Sequence, residues 1–178
     1  MVREAKLKDA QAIQNLICFY SEDGKMLFRT FEEIEQCIAD FLVFEKNNEI
    51  VGISSLKFGW DRLVEIRSLG VDPRYHRQGI ATQMIRFSIE RALLQNNCDT
   101  MFVLTYAVPL FNKFGFKIVD KIQLPQKVWN DCQACLHKDN CDETAMSLSL
   151  LSLKKLPEKE LSLRKQTLLK DTQRTLSF

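Results

Sequence analysis

Apolar residues recur along the chain in two alternating rhythms, one of helices and one of strands. Residues 2–5 read as a short first strand. Asp9 stands where a helix cap is wanted, ahead of Ala12, Ile13, Leu16, Ile17 and Phe19, which repeat at the helical spacing. The polar run Ser21-Glu22-Asp23-Gly24 makes a loop. Thr30 and Glu33 have the separation of a capping box, and Ile34, Cys37, Ile38 and Phe41 follow as the buried stripe of a second helix.

Further on, the period shortens. Residues 41–46 and 50–58 flank Asn47-Asn48, a pair suited to a hairpin turn because asparagine tolerates positive φ. A third apolar run, 63–71, ends at Asp72-Pro73. A polar loop over 74–78 then leads to Gly79, which opens a long helix to about residue 95. A strand over 101–106, a short helix over 108–114, a strand over 116–122 and a partly alternating strand over 144–153 complete the pattern. The order β-α-α-β-β-β-α-β-α-β-β predicts a mixed α/β fold around one sheet. Residues 124–143 form a cysteine-containing insert. The domain is expected over 1–153, and 154–178 is a Leu- and Lys-rich tail, broken at Pro157, with a helix predicted over 158–170.

A chain of 178 residues accommodates one well-cored domain, and its 46% apolar and 27% charged shares are those of a soluble globular protein. No apolar run reaches the roughly 18 residues that a membrane span requires. Met1-Val2-Arg3-Glu4-Ala5-Lys6 has no signal-peptide core, so a cytoplasmic protein with its six cysteines reduced is expected. From Lys154 onward seven basic residues face three acidic ones, a surplus of +4 that leaves −2 on the first 153 residues of a chain carrying +2. A surplus of that size reads as a solvated face, so no nucleic-acid or membrane partner is expected.

The most informative stretch is Val71-Asp72-Pro73-Arg74-Tyr75-His76-Arg77-Gln78-Gly79-Ile80-Ala81-Thr82. A strand leads into a polar loop that opens a helix, and the amides at such a helix start have no intrahelical partner, so an anion fits there. Gly79 lets backbone approach a phosphate closely, and Arg77 adds a charge-assisted contact. The spacing is neither a Rossmann fingerprint nor a P-loop.

With the Val-Asp-Pro strand end before it, the run from Arg77 to Ala81 resembles motif A of the GNAT acetyltransferases. Leu110-Phe111-Asn112-Lys113-Phe114-Gly115-Phe116 resembles their helix-to-strand signature. The resemblance implies a mostly antiparallel sheet splayed in its middle, with helices on both faces. It also implies acetyl-CoA as co-substrate, its pyrophosphate on Arg77, Gln78, Gly79, Ile80, Ala81 and Thr82, and its pantetheine arm beside Leu69, Gly70 and Val71. Two positions depart from the family pattern: His76 replaces the usual Gln or Arg, and Phe111 replaces the tyrosine often used as general acid.

Glu65-Ile66-Arg67-Ser68-Leu69-Gly70-Val71, Phe102-Val103-Leu104-Thr105-Tyr106, Leu124-Pro125-Gln126-Lys127-Val128-Trp129 and Leu27-Phe28-Arg29-Thr30 narrow the resemblance. They are similar to the acetyltransferase domain of N-acetylglutamate synthases, in the short bacterial form without a kinase-like regulatory domain. This implies transfer to the α-amine of L-glutamate, a step of arginine biosynthesis. An attacking amine must be a free base, and Glu65 matches the carboxylate that the family uses for this. Its other reading is an exposed strand residue or an ion pair with Arg67. Arg29 matches the family's substrate-carboxylate arginine, while Arg67 and Lys127 are further candidates that serve equally well as surface charge. Thr105 and Tyr106 are candidates for touching substrate or protonating the thiolate, or are a strand threonine and a packed tyrosine.

Cys132, Cys135 and Cys141 with His137 carry metal-ligand chemistry, but their spacing is short for a zinc ribbon, and thiols packing an insert is the better reading; no metal is assigned. Cys18 and Cys37 fall on apolar stripes and are expected in the core. Neither His76 nor His137 belongs to a nucleophile motif, which favours direct transfer in a ternary complex. An acetyltransferase for another small amine or amino acid, and a non-catalytic acyl-CoA-binding module, stay open, as does a homodimer.

Overall fold

The computed structural model describes residues 1–60, 62–124, 133, 135 and 140–154, with Trp60 described by its backbone alone. The predicted helix over 158–170, together with Lys127, Cys132 and His137, lies outside the described residues.

Seven strands form one sheet in the order β1-β2-β3-β4-β5-β7-β6, with β1 Val2–Glu4, β2 Phe41–Lys46, β3 Glu49–Trp60, β4 Leu63–Val71, β5 Thr100–Thr105, β6 Lys117–Ile118 and β7 Thr144–Ser149. All neighbours are antiparallel except β4 and β5, which run parallel. The β2–β3 hairpin turns through Asn47 and Asn48 at φ of 52° and 62°, the left-handed pair that matches strand twist in a two-residue turn.

Strand alternation sends β2 to two cores. Phe41 and Val43 pack with Ile53 under α1 (Ala10–Glu22) and α2 (Phe31–Gln36), where Ala10, Ile13, Ile17 and Ile34 are fully buried. Leu42 and Phe44 face the other way, against Ile80, Met84, Ile85 and Ile89 of α3 (Ile80–Leu93). Helices therefore cover both faces. Each large side chain so buried contributes about 1.5–3 kcal/mol. Thr30 caps α2 through a capping box, its Oγ1 accepting from the Glu33 N–H while the Glu33 carboxylate accepts from the Thr30 N–H. Two short helices, α4 (Val108–Asn112) and α5 (Leu150–Lys154), complete the described elements apart from single 3₁₀ turns.

Several expectations are corrected. Asp9 does not cap α1 with its side chain. It sits in a 3₁₀ turn, accepts from the Lys6 N–H at 2.8 Å, and takes both terminal nitrogens of Arg3 at 2.7 and 3.0 Å. Phe19 keeps the helical period but is exposed, and Cys18 and Cys37 are half-buried rather than core. The strand expected over 116–122 shrinks to two residues. Asp120 then caps a 3₁₀ turn by accepting from the Ile122 N–H. The last strand stops at Ser149 because Leu150, fully buried, begins α5. No described helix is long and apolar enough to cross a membrane.

Candidate active site

Strands β4 and β5 pair only through Leu63–Glu65 and Thr100–Phe102, and then part. Just beyond, β4 carries an extra residue: Arg67 faces Ser55 but Gly70 faces Ile53, so three steps on β4 match two on β3. Ser68 absorbs the bulge at φ 49°, left-handed although it is not glycine. The opening between the strands leads into a cleft of about 210 Å³ whose wall includes Arg29, Glu65, Arg67, Leu69, Thr105 and Tyr106. Six of the sequence-predicted residues thus meet in one place.

Within the cleft, Glu65 is 6% exposed, and Arg67 donates from Nε to its Oε2 at 2.5 Å. Two residues apart on one strand, the side chains share a face. Arg29 is half-buried and makes no ion pair or hydrogen bond among the described residues. Thr105 accepts the Ala107 N–H at 2.9 Å ahead of α4. Tyr106 donates to Asp142 Oδ1 at 2.7 Å. Burial and that carboxylate push its ionisation well above the usual tyrosine range. Phe111 lies fully buried in the same wall, edge-on to Phe116 at 5.2 Å between centroids, and offers no proton.

Residues 77–82 lie outside this cleft, in the loop after β4 and the first turn of α3. Arg77 is exposed at φ 60°, and Gly79 caps α3 at φ 74°. The loop is tied to the β2–β3 hairpin. Lys46 Nζ donates to Gln78 Oε1 at 2.7 Å and lies 5.0 Å from the Tyr75 ring centre, while Arg74 pairs with Glu49 and Asp72. Gly52 brings α3 close to the sheet: a Cβ there would fall 2.9 Å from Met84 Sδ and 3.0 Å from Ile80 Cγ2. At the far end of β4, Val71 is buried and its carbonyl accepts from the Tyr20 hydroxyl at 2.5 Å and from His76 Nε2 at 2.7 Å. Gly70 makes room for the Tyr20 ring, which a Cβ would meet at 2.9 Å.

A sheet opened between two parallel strands, next to a glycine-capped helix start, suits a long cofactor with an anionic end. Residues 8–116 match the Acetyltransferase (GNAT) family. The chain belongs to this family.

As a GNAT acetyltransferase it uses acetyl-CoA as co-substrate. It is 36% identical to an uncharacterised N-acetyltransferase of Chlorobaculum tepidum over 149 residues, which cover 84% of this chain and 96% of that protein. An amino-acid acetyltransferase of Aliivibrio fischeri is 30% identical over 71% of the chain, but the match spans only 28% of that longer protein. The fold resembles N-acetylglutamate synthase of Neisseria gonorrhoeae in complex with coenzyme A and N-acetyl-glutamate. The TM-score is 0.75 at 24% identity, over 84% of this chain and 35% of that one.

Sequence reasoning missed several contributors to this acetyltransferase's geometry. Glu143, with Cys135 and Cys141, lines the cleft beside β7. The cysteines were visible as a cluster, but nothing local said that they face the cleft. Among the described residues no group of His, Cys, Asp and Glu could hold a metal. Gly52 and Tyr20 shape the approach to the loop, and their signal is tertiary. Lys127, the third expected substrate cation, lies outside the described residues.

Proposed function

We infer that this acetyltransferase moves the acetyl group of acetyl-CoA to the α-amine of L-glutamate in the cytoplasm, forming N-acetylglutamate for arginine biosynthesis. The observation that carries the reading is the charge arrangement of the cleft: the carboxylate of Glu65 beside the cation of Arg67, with the guanidinium of Arg29, unpaired among the described residues, in the same wall. A dicarboxylate needs fixed cationic donors, and its amine needs a nearby base. Relatives named amino-acid acetyltransferase support an amino-acid acceptor.

On this reading Glu65 takes the proton of the amine and Arg29 grips a carboxylate. Residues 77–82 hold the pyrophosphate on the helix start, and Leu69, Gly70 and Val71 run beside the pantetheine arm. Thr105 accepts from Ala107 through its oxygen, which leaves its own proton to hydrogen-bond substrate or the departing sulfur. The hydroxyl of Tyr106 is given to Asp142, so Tyr106 serves better as a wall than as a ready acid. The acetyltransferase unit is residues 1–153, with 154–178 an appended tail. Thiol release from acetyl-CoA over a panel of amino acids tests the assignment, with glutamate expected fastest. Equal rates with leucine or lysine would remove glutamate and leave the acetyltransferase standing.

A further inference from the structure

The two arginines that reach the cleft are not equivalent. Arg29 stands without a partner among the described residues, whereas Arg67 is bound to the carboxylate that must accept the amine's proton. The Arg67 and Glu65 side chains are only 10% and 7% exposed, so little water competes for either charge. A carboxylate whose lone pair is held by a guanidinium in such surroundings is a poor proton acceptor. Left like this, the base would be engaged at the moment it is needed.

We propose that Arg67 masks Glu65 in the empty enzyme, and that the α-carboxylate of the acceptor draws Arg67 away and frees the base. The proposal rests on the reading of Glu65 as base and of an α-amino acid as acceptor. Three features carry it. Glu65 and Arg67 point to one face, so an amine brought to Glu65 sets the carboxylate on the adjacent carbon beside Arg67. Exchanging one carboxylate for another keeps Arg67 paired throughout, which avoids leaving a buried charge alone. Arg29, in the same wall of the cleft, is available for the carboxylate at the other end of glutamate.

The proton balance then follows. The acceptor's ammonium gives one proton to the freed Glu65. Its nitrogen bonds to the acetyl carbon, the carbon–sulfur bond breaks, and a second proton of the nitrogen ends on the departing sulfur. Water and amines without an α-carboxylate meet a masked base, so acetyl-CoA is spared from both.

The test compares wild type with Arg67→Gln in thiol release from acetyl-CoA alone, with L-glutamate, and with 4-aminobutyrate, which is glutamate without its α-carboxylate. In the variant, release with 4-aminobutyrate and release without acceptor should both rise roughly tenfold or more, since a freed general base typically supplies at least that. Release with glutamate should fall, and Arg67→Lys should restore the wild-type ranking. A folded Arg67→Gln protein with unchanged or lower 4-aminobutyrate turnover overturns the proposal and leaves Arg67 a simple clamp. Should that variant fail to fold, the wild type suffices: added formate, replacing the missing carboxylate, should stimulate acetylation of 4-aminobutyrate, and no stimulation overturns the mask. If wild type prefers another α-amino acid, the glutamate assignment is lost. The mask is then decided by that amino acid and its decarboxylated amine.

Discussion

Replacing Gly52 by alanine perturbs acetyl-CoA binding from behind the helix start proposed to hold it, by pressing on the buried side chains of Ile80 and Met84 rather than on its backbone amides. The new Cβ would lie 2.9 Å from Met84 Sδ, 3.0 Å from Ile80 Cγ2 and 3.1 Å from Phe44 Cβ. All three are tighter than van der Waals contact, and two of the neighbours are stiff: Ile80 is β-branched and the Phe44 atom is tied to backbone. Overpacking of this kind costs about 1–3 kcal/mol, and removing a strand glycine returns about 0.5–1 kcal/mol. The net loss is about 0–2.5 kcal/mol, or a melting temperature lower by up to roughly 10 °C for a chain of this length. Relief comes most easily by moving the first turn of α3 away from β3, and that turn is where the pyrophosphate is proposed to sit. A tenfold weaker cofactor at saturation would remove about 1.4 kcal/mol of ligand-induced stabilisation. Thermal melts with and without acetyl-CoA measure both effects. A Gly52→Ala protein that melts at or above wild type with the full acetyl-CoA shift would refute the clearance argument.

Three further outcomes are expected. Glu65→Gln should lower kcat by roughly 10²–10⁴ with little change in acetyl-CoA affinity, and near-normal turnover across the pH range would make Glu65 structural. Arg29→Lys should raise the KM for glutamate about 10- to 100-fold, the scale of one charge-assisted hydrogen bond, because lysine keeps the charge but loses the planar fork; an unchanged KM would clear Arg29 of that role. The hydrogen-bonded Arg3 guanidinium holds the Asp9 carboxyl below the usual carboxylate range, against the opposing effect of burial. Its stabilisation is therefore complete above the unfolded-state pKa of about 3.9 and fades as pH falls through the lower folded value. Asp9→Asn should cost about 1.5–3 kcal/mol in urea unfolding at pH 7, since Arg3 keeps its pair with Glu45, and clearly less at pH 3; an equal deficit at both would deny the ion pair its part.

Much of the scaffold was legible because its signals are local. Leu63–Val71 reads as a strand from its apolar run and its Asp-Pro stop, and the Asn47-Asn48 turn and the Thr30 box need only neighbouring residues. What escaped is what distant partners decide. Phe19 has the right period, but the face of α1 it occupies meets no core. Leu150 continues an alternating pattern, yet its burial against the main core with α3 turns the chain into a helix. The bulge at Ser68 bears no glycine to announce it. For the site, both readings of Glu65 were open from its spacing with Arg67, and only the geometry shows the pair formed inside a cleft rather than on a surface.

The sheet also has an unusual distribution of bare edge. Its two outer rims are three-residue β1 and two-residue β6, too short to template another chain. Among the described residues, the longer stretch of strand without a neighbour on one side is the part of β4 beyond Glu65, which faces inward across the gap. Another protein's strand cannot slide into that interior gap, whereas a slender, flexible molecule can. Folding thus turns this run of unpaired main chain inward, where the edge strand of another molecule cannot pair with it.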